Sequence, residues 1–133
     1  MHTTKDPFMD FLNMQIVTVA GGKASVTATV GPQHINMHGT AHGGFLFSLA
    51  DAAFALASNS GPGRQVGLHA DMQYFRAARL GDTVTAHASE IHLGRKTGAY
   101  RMELWVGEQL IAMGSGMVYR VEAGLQPAPA APH

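Results

Sequence analysis

The sequence predicts an α+β domain in which a curved, mostly antiparallel sheet wraps around one long central helix. Three observations predict it. Residues 38–60 (HGTAHGGFLFSLADAAFALASNS) open with a glycine-rich turn, run on as a proline-free apolar stretch and end at SNSGPG, a cluster of helix breakers. Two alternating segments precede this stretch and about four follow it, joined by short connections that suit antiparallel neighbours. A helix apolar on nearly all sides needs cover over most of its surface, and a sheet curled about it supplies that cover.

Taken in order, Asp6 and Pro7 start a short helix over residues 7–13, the acid as N-cap and the proline at the first helical position. Phe8, Phe11 and Leu12 share one face of it. Residues 14–20 (MQIVTVA), a Gly-Gly-Lys turn and residues 24–30 (ASVTATV) read as a hairpin. In its second strand Ala24, Val26, Ala28 and Val30 alternate with Ser25, Thr27 and Thr29. The loop GPQHINMHGTAHGG then leads to the long helix, predicted over residues 44–60. At about 100° per residue, Phe45, Leu46, Leu49, Ala53 and Leu56 lie opposite Asp51. Gly44, Ser48, Ala55 and Ser58 surround that acid, with Phe47 and Phe54 on one flank. Four strands follow, over residues 66–75, 82–93, 99–106 and 110–120. The last is nearly continuous in apolar residues and is expected in the sheet interior. In the first of them, Val66, Leu68, Ala70, Met72 and Tyr74 are expected to share a face. The Pro/Ala-rich tail at residues 122–133 is expected to be disordered, which places the domain at residues 1–121.

Composition narrows the function classes. A chain of 133 residues is one domain with room for a sizeable core. Charged residues make up only 14% against 46% hydrophobic, so part of the surface is expected to be covered by other copies of the chain. The net charge of +0 gives no basic surface for nucleic acid. The absence of Cys excludes disulfides, thiolate metal sites and cysteine nucleophiles. The N-terminal MHTTKDPFMDFLN has no signal-peptide core, and no apolar run is long enough to cross a membrane, so a cytoplasmic enzyme is expected. His34, His38 and His42 recur every four residues, but Pro32 and Gly39 interrupt any helix there and no nearby acid completes a ligand set. They are read as loop polarity or substrate contacts, with no metal.

The central stretch carries chemistry. A helix N-terminus presents unsatisfied N–H groups and a partial positive charge, and Gly43 and Gly44 there let a ligand approach the backbone. Such amides suit a developing oxyanion. Asp51, desolvated on an apolar helix, is expected to have a raised pKa and to act as base or nucleophile. Gly43 and Asp51 are eight residues apart, about 12 Å along a helix. A reacting carbonyl must sit roughly 3 Å from both groups, so one chain's Asp51 does not serve its own Gly43. Two helices side by side and antiparallel would bring them together, and a homodimer with two composite sites is predicted.

His42-Gly43-Gly44 followed by Phe-Leu-Phe-Ser-Leu-Ala-Asp51-Ala-Ala-Phe-Ala resembles the signature of hotdog-fold thioesterases, most closely the phenylacetate-degradation (PaaI-type) acyl-CoA thioesterases. The likeness continues through DMQYFRAARLGDTVTAHA and GRKTGAYRMEL and spans roughly residues 6–121. The resemblance implies cofactor-free hydrolysis of an aryl-acetyl or medium-sized acyl-CoA by a homotetramer, a dimer of dimers. It implies that Asp51 activates water or attacks directly, and that the Gly43 amide polarises the thioester carbonyl. It also implies that Asn36 and His42 orient water or substrate from the partner subunit, and that Arg95, Lys96 and Thr97 lie near the CoA phosphates. Gly44 would line the substrate; Phe47 and Phe54 read either as walls of an aryl pocket or as plain core or dimer packing. Some relatives carry a hydroxyl in the strand after the helix, where this chain has Gly67; Ser60 or a water is the substitute to look for. Two alternatives stay open from the sequence. One is a hotdog dehydratase or hydratase with His42 as base, and the other is a non-catalytic acyl-CoA binding module.

Overall fold

A computed structural model describes residues 6–121. The expectations for residues 1–5 and for the tail at 122–133 lie outside the described residues. Helix α1 (Pro7–Phe11) is followed by strands β1 (Gln15–Ala20) and β2 (Lys23–Thr29), a 3-10 turn (Pro32–His34) and the long helix α2 (Gly43–Ser58). Strands β3 (Arg64–Tyr74), β4 (Thr83–Leu93), β5 (Thr97–Val106) and β6 (Gln109–Val121) complete the chain. All six strands form one antiparallel sheet in the order β1-β2-β4-β5-β6-β3. Because α2 connects β2 to the strand at the far edge, it crosses the sheet and packs chiefly on β2, β4 and β5. No helix among the described residues is long and apolar enough to cross a membrane.

Local chemistry accounts for the element ends. The Asp6 carboxylate accepts from the Phe8 and Met9 amides, both at 3.1 Å. The helix it starts stops two residues earlier than its apolar face suggests, because Asn13 adopts a left-handed φ of 58°. The β1–β2 turn uses Gly21 and Gly22 at φ 61° and 81°, the handedness that a tight hairpin needs and that glycine adopts without strain. Strand β6 is flanked by β5 and β3, an interior position as its apolar run predicts.

The alternation expected in β3 breaks at Leu68. A bulge between Gly67 and His69 slips the register against β6 and leaves Leu68 58% exposed. Alternation is a property of a regular ladder, and β3 is an edge strand where a bulge is tolerated.

The core lies between α2 and the concave face of the sheet. Leu49, Ala53 and Phe54 pack with Val26, Val84, Met102, Leu104, Ile111 and Val118, all essentially without solvent contact. For Phe54 the sequence left a pocket wall or the core open, and the structure puts it in the core. It is only 1% exposed, with its ring tilted against Tyr100 at a centroid distance of 5.7 Å. The room for it comes from Gly116 on β6, where an added Cβ would lie 2.6 Å from the ring. The helical wheel alone could not show which stripe the sheet would cover. Gly116→Ala should therefore cost about 2 kcal/mol of stability in denaturant unfolding. Adding Phe54→Leu should recover part of that cost, whereas simple additivity of the two single changes would count against this contact.

Candidate active site

The segment leading into α2 is held from several sides. His34 is 2% exposed and its ring stacks on Phe45, centroids 3.9 Å apart at 13°. Its Nδ1 accepts from the Gly31 amide and its Nε2 donates to the Leu12 carbonyl, both at 2.9 Å. A nitrogen that accepts from an amide carries no proton, so the geometry selects the neutral Nε2–H tautomer. The backbone then closes on itself through His42 N–H to the His34 carbonyl at 2.7 Å and Ala41 N–H to the Ala78 carbonyl at 2.8 Å. Asn36 shapes the loop between these anchors. Its Oδ1 accepts from the His38 and Thr40 amides at 2.9 and 3.1 Å, and its Nδ2 donates to Thr40 Oγ1 at 3.1 Å. That leaves one amide hydrogen for any water or substrate.

Helix α2 begins at Gly43, one residue before the predicted start, with His42 as its N-cap. The His42 Nδ1 accepts from the Gly44 amide at 2.8 Å, so the expected orienting role is left to Nε2 alone. Gly43 and Gly44 are exposed, and Gly43 lines a surface pocket of about 350 Å³ with Ala41, Leu46, Tyr74, Phe75, Arg76 and Ala77. The Gly43 carbonyl accepts from the Tyr74 hydroxyl at 3.2 Å.

Asp51 occupies a different place. It is half-buried and lines a pocket of about 130 Å³ with Phe8, Met9, Met14, Phe47 and Ser48, Asp6 and two alanines completing the wall. The two groups expected to act on one carbonyl thus line separate pockets within a single protomer. Arg95 and Lys96 form the exposed β4–β5 turn, with Thr97 opening β5. Arg120 pins that turn, its Nη1 donating to the Gly94 carbonyl and its amide to the Lys96 carbonyl, each at 2.8 Å. A cavity of about 270 Å³ beside this hairpin is lined by Ser58 and Ser60 from the C-terminal end of α2, so within one protomer the turn is far from Gly43. Ser60 itself donates to the Ala57 carbonyl and accepts from the Gly22 amide, both at 2.8 Å. It holds the helix end to the β1–β2 hairpin.

Residues 38–112 match the thioesterase superfamily. The chain belongs to that superfamily. The acyl-coenzyme A thioesterase PaaI of Escherichia coli is 40% identical to it over 111 residues, covering 83% of this chain and 79% of that one. The solved structure of a point mutant of the phenylacetic acid degradation protein PaaI from Thermus thermophilus is 46% identical and superposes with a TM-score of 0.84, over 87% of this chain and 100% of that one. A thioesterase from Streptococcus pneumoniae solved with coenzyme A is 28% identical, with a TM-score of 0.78 over 83% and 90% of the two chains. The fold is the hotdog fold, and the protein is a thioester hydrolase of the PaaI type.

Beyond the thioesterase motif lies one cluster that the sequence did not disclose. On the outer face of β3 and β6, Ser115 Oγ donates to Asp71 Oδ2 at 2.9 Å, and His69 Nε2 lies 3.1 Å from the same oxygen. It has the residue types of a nucleophilic triad but not the order, since the serine donates to the carboxylate and has no imidazole to take its proton. The cluster arises from the β3–β6 register, which sets Asp71 opposite Ser115, and no local pattern in either strand announces that. The hydrogen bond from Ser115, and then that from His69, holds the Asp71 carboxyl below its ordinary value of 3.8. The folded state thus favours the ionised form, so the stabilisation is present above that value and is lost as pH falls through the lower, folded one. Asp71→Asn should unfold more readily than the wild type at about pH 7, with the gap closing as pH falls below the carboxyl's ordinary value of 3.8.

Proposed function

We propose that the enzyme hydrolyses an acyl-CoA thioester, aryl-acetyl or medium-sized in its acyl part, to the free acid and CoA. The reading is carried by the division of labour along α2: exposed backbone N–H groups at Gly43 and a carboxylate at Asp51 in a pocket walled by Phe8, Met9, Met14 and Phe47. The names of the PaaI relatives and the coenzyme A held by the pneumococcal thioesterase support the same substrate class.

In this reading Asp51 takes a proton from water as the water oxygen bonds to the thioester carbon. The Gly43 amide of the neighbouring subunit donates a hydrogen bond to the carbonyl oxygen as negative charge builds on it. Collapse of the tetrahedral intermediate breaks the carbon–sulfur bond, and the departing thiolate recovers the proton. Direct attack by Asp51, through an anhydride that water then opens, uses the same geometry. Arg95, Lys96 and Thr97 of one subunit meet the CoA phosphates bound at a site whose other parts come from its neighbour. Exposed Leu68, Phe75, Met117 and Tyr119 offer apolar surface for pairing and for a dimer of dimers. The hydratase alternative loses ground because His42, its one candidate base, has Nδ1 committed to the helix cap.

A panel of acyl-CoAs followed by free thiol tests the reading. Wild-type turnover should be rapid with aryl-acetyl or medium-chain substrates, and Asp51→Ala should lower it by about 10²-fold or more. Equal rates in the two proteins would exclude Asp51. Gly43→Pro removes the N–H at a position where proline suits a helix. Mixed with Asp51→Ala under subunit exchange, it should restore part of the activity, because one intact site can assemble per mixed dimer. Verified exchange without recovery would rule out shared sites.

A further inference from the structure

We propose that Tyr74 is a positioning residue for the Gly43 amide, fixing through its hydroxyl the peptide that would otherwise swivel at a glycine. The inference rests on the role given to Gly43 above. Gly43 has no side chain to restrict its torsions, so its N–H direction depends on what holds the peptides on either side. The preceding one, which carries the N–H itself, is held at its oxygen, where the His42 carbonyl accepts from the Leu46 amide at 3.0 Å. The following one is gripped at its oxygen, where the Tyr74 hydroxyl donates to the Gly43 carbonyl at 3.2 Å. Its nitrogen, that of Gly44, donates to His42 Nδ1 at 2.8 Å. With Gly44 N–H engaged and Phe45 buried, the N–H of the exposed Gly43 is open to a substrate oxygen.

Tyr74 is itself well anchored. It ends β3 opposite Ala112, and the next two amides, of Phe75 and Arg76, both donate to the Ile111 carbonyl at 2.8 and 3.2 Å. The phenol therefore comes from the sheet, not from the mobile end of a loop, and ties the start of α2 to the edge strand. Burial raises the phenol above its ordinary value of 10.0, so it remains a donor throughout the neutral range. It is a positioning residue because its bond is to a carbonyl of the protein, not to a reacting atom.

Tyr74→Phe deletes the hydroxyl and keeps the ring that walls the pocket. With an acyl-CoA substrate, kcat should fall about tenfold while KM stays within about twofold, the signature of an interaction that matters in the transition state. The unfolding midpoint should be unchanged. Amide NMR gives a readout independent of turnover: the Gly43 and Gly44 resonances should move, and Gly44 should exchange faster with solvent. An unchanged kcat, or a fall in kcat with both glycine resonances unmoved, would overturn the proposal. If the wild type releases no thiol from any acyl-CoA, the proposed function fails by itself, and the glycine resonances still decide whether Tyr74 holds this peptide.

Discussion

A sixteen-residue helix with few polar side chains cannot lie on the surface of a small protein, and the rest of the molecule is arranged to cover it. The sheet covers the side carrying Leu49, Ala53 and Phe54. It leaves half-buried the stripe of Phe47, Ser48, Asp51, Ala52 and Ala55, which α1 and its following residues cover only in part. The constraint that creates the core thus also produces a carboxylate at the edge of an apolar enclosure. The small residues along that stripe allow a second surface to come close, which a row of leucines would prevent.

The geometry at the helix start is set by hydrogen bonds to backbone groups. His42 caps α2, Asn36 ties the loop before it, and His34 anchors that loop to the body of the protein. Their shared effect is to place two successive glycines at an exposed helix end without freedom to wander. The polar side chains near Gly43 therefore work largely on the protein's own amides and carbonyls. The donor exposed there is a peptide group, whose position does not depend on a rotamer.

Much of this was legible in the sequence. The long helix, the glycine hairpin, the alternation in β2 and the interior place of β6 all follow from local patterns, and the histidine-glycine-glycine and aspartate pairing pointed to the thioesterases. What was not legible depends on partners distant in sequence. Phe54 lies in the core because Gly116, on another strand, leaves room for its ring. Leu68 turns outward because a bulge in pairing with β6 interrupts the ladder. His34 looked like loop polarity, yet it stacks on Phe45 and bonds to Leu12 across 22 residues of sequence. Tyr74 looked like one more strand residue, and only the folded chain sets its hydroxyl against Gly43.

The bond from His34 to Leu12 has a practical side. It makes the first short helix a structural partner of the loop that ends at Gly43, and the same helix supplies Phe8 and Met9 beside Asp51. A protein trimmed to start at β1 would keep every strand and all of α2. It would nevertheless lose a wall of one pocket and strand a buried imidazole N–H without its acceptor, which is costly inside a protein. Anyone shortening this chain for crystallisation, or fusing another protein onto its N-terminal side, would be cutting into the lining of the Asp51 pocket while appearing to remove only an appendage.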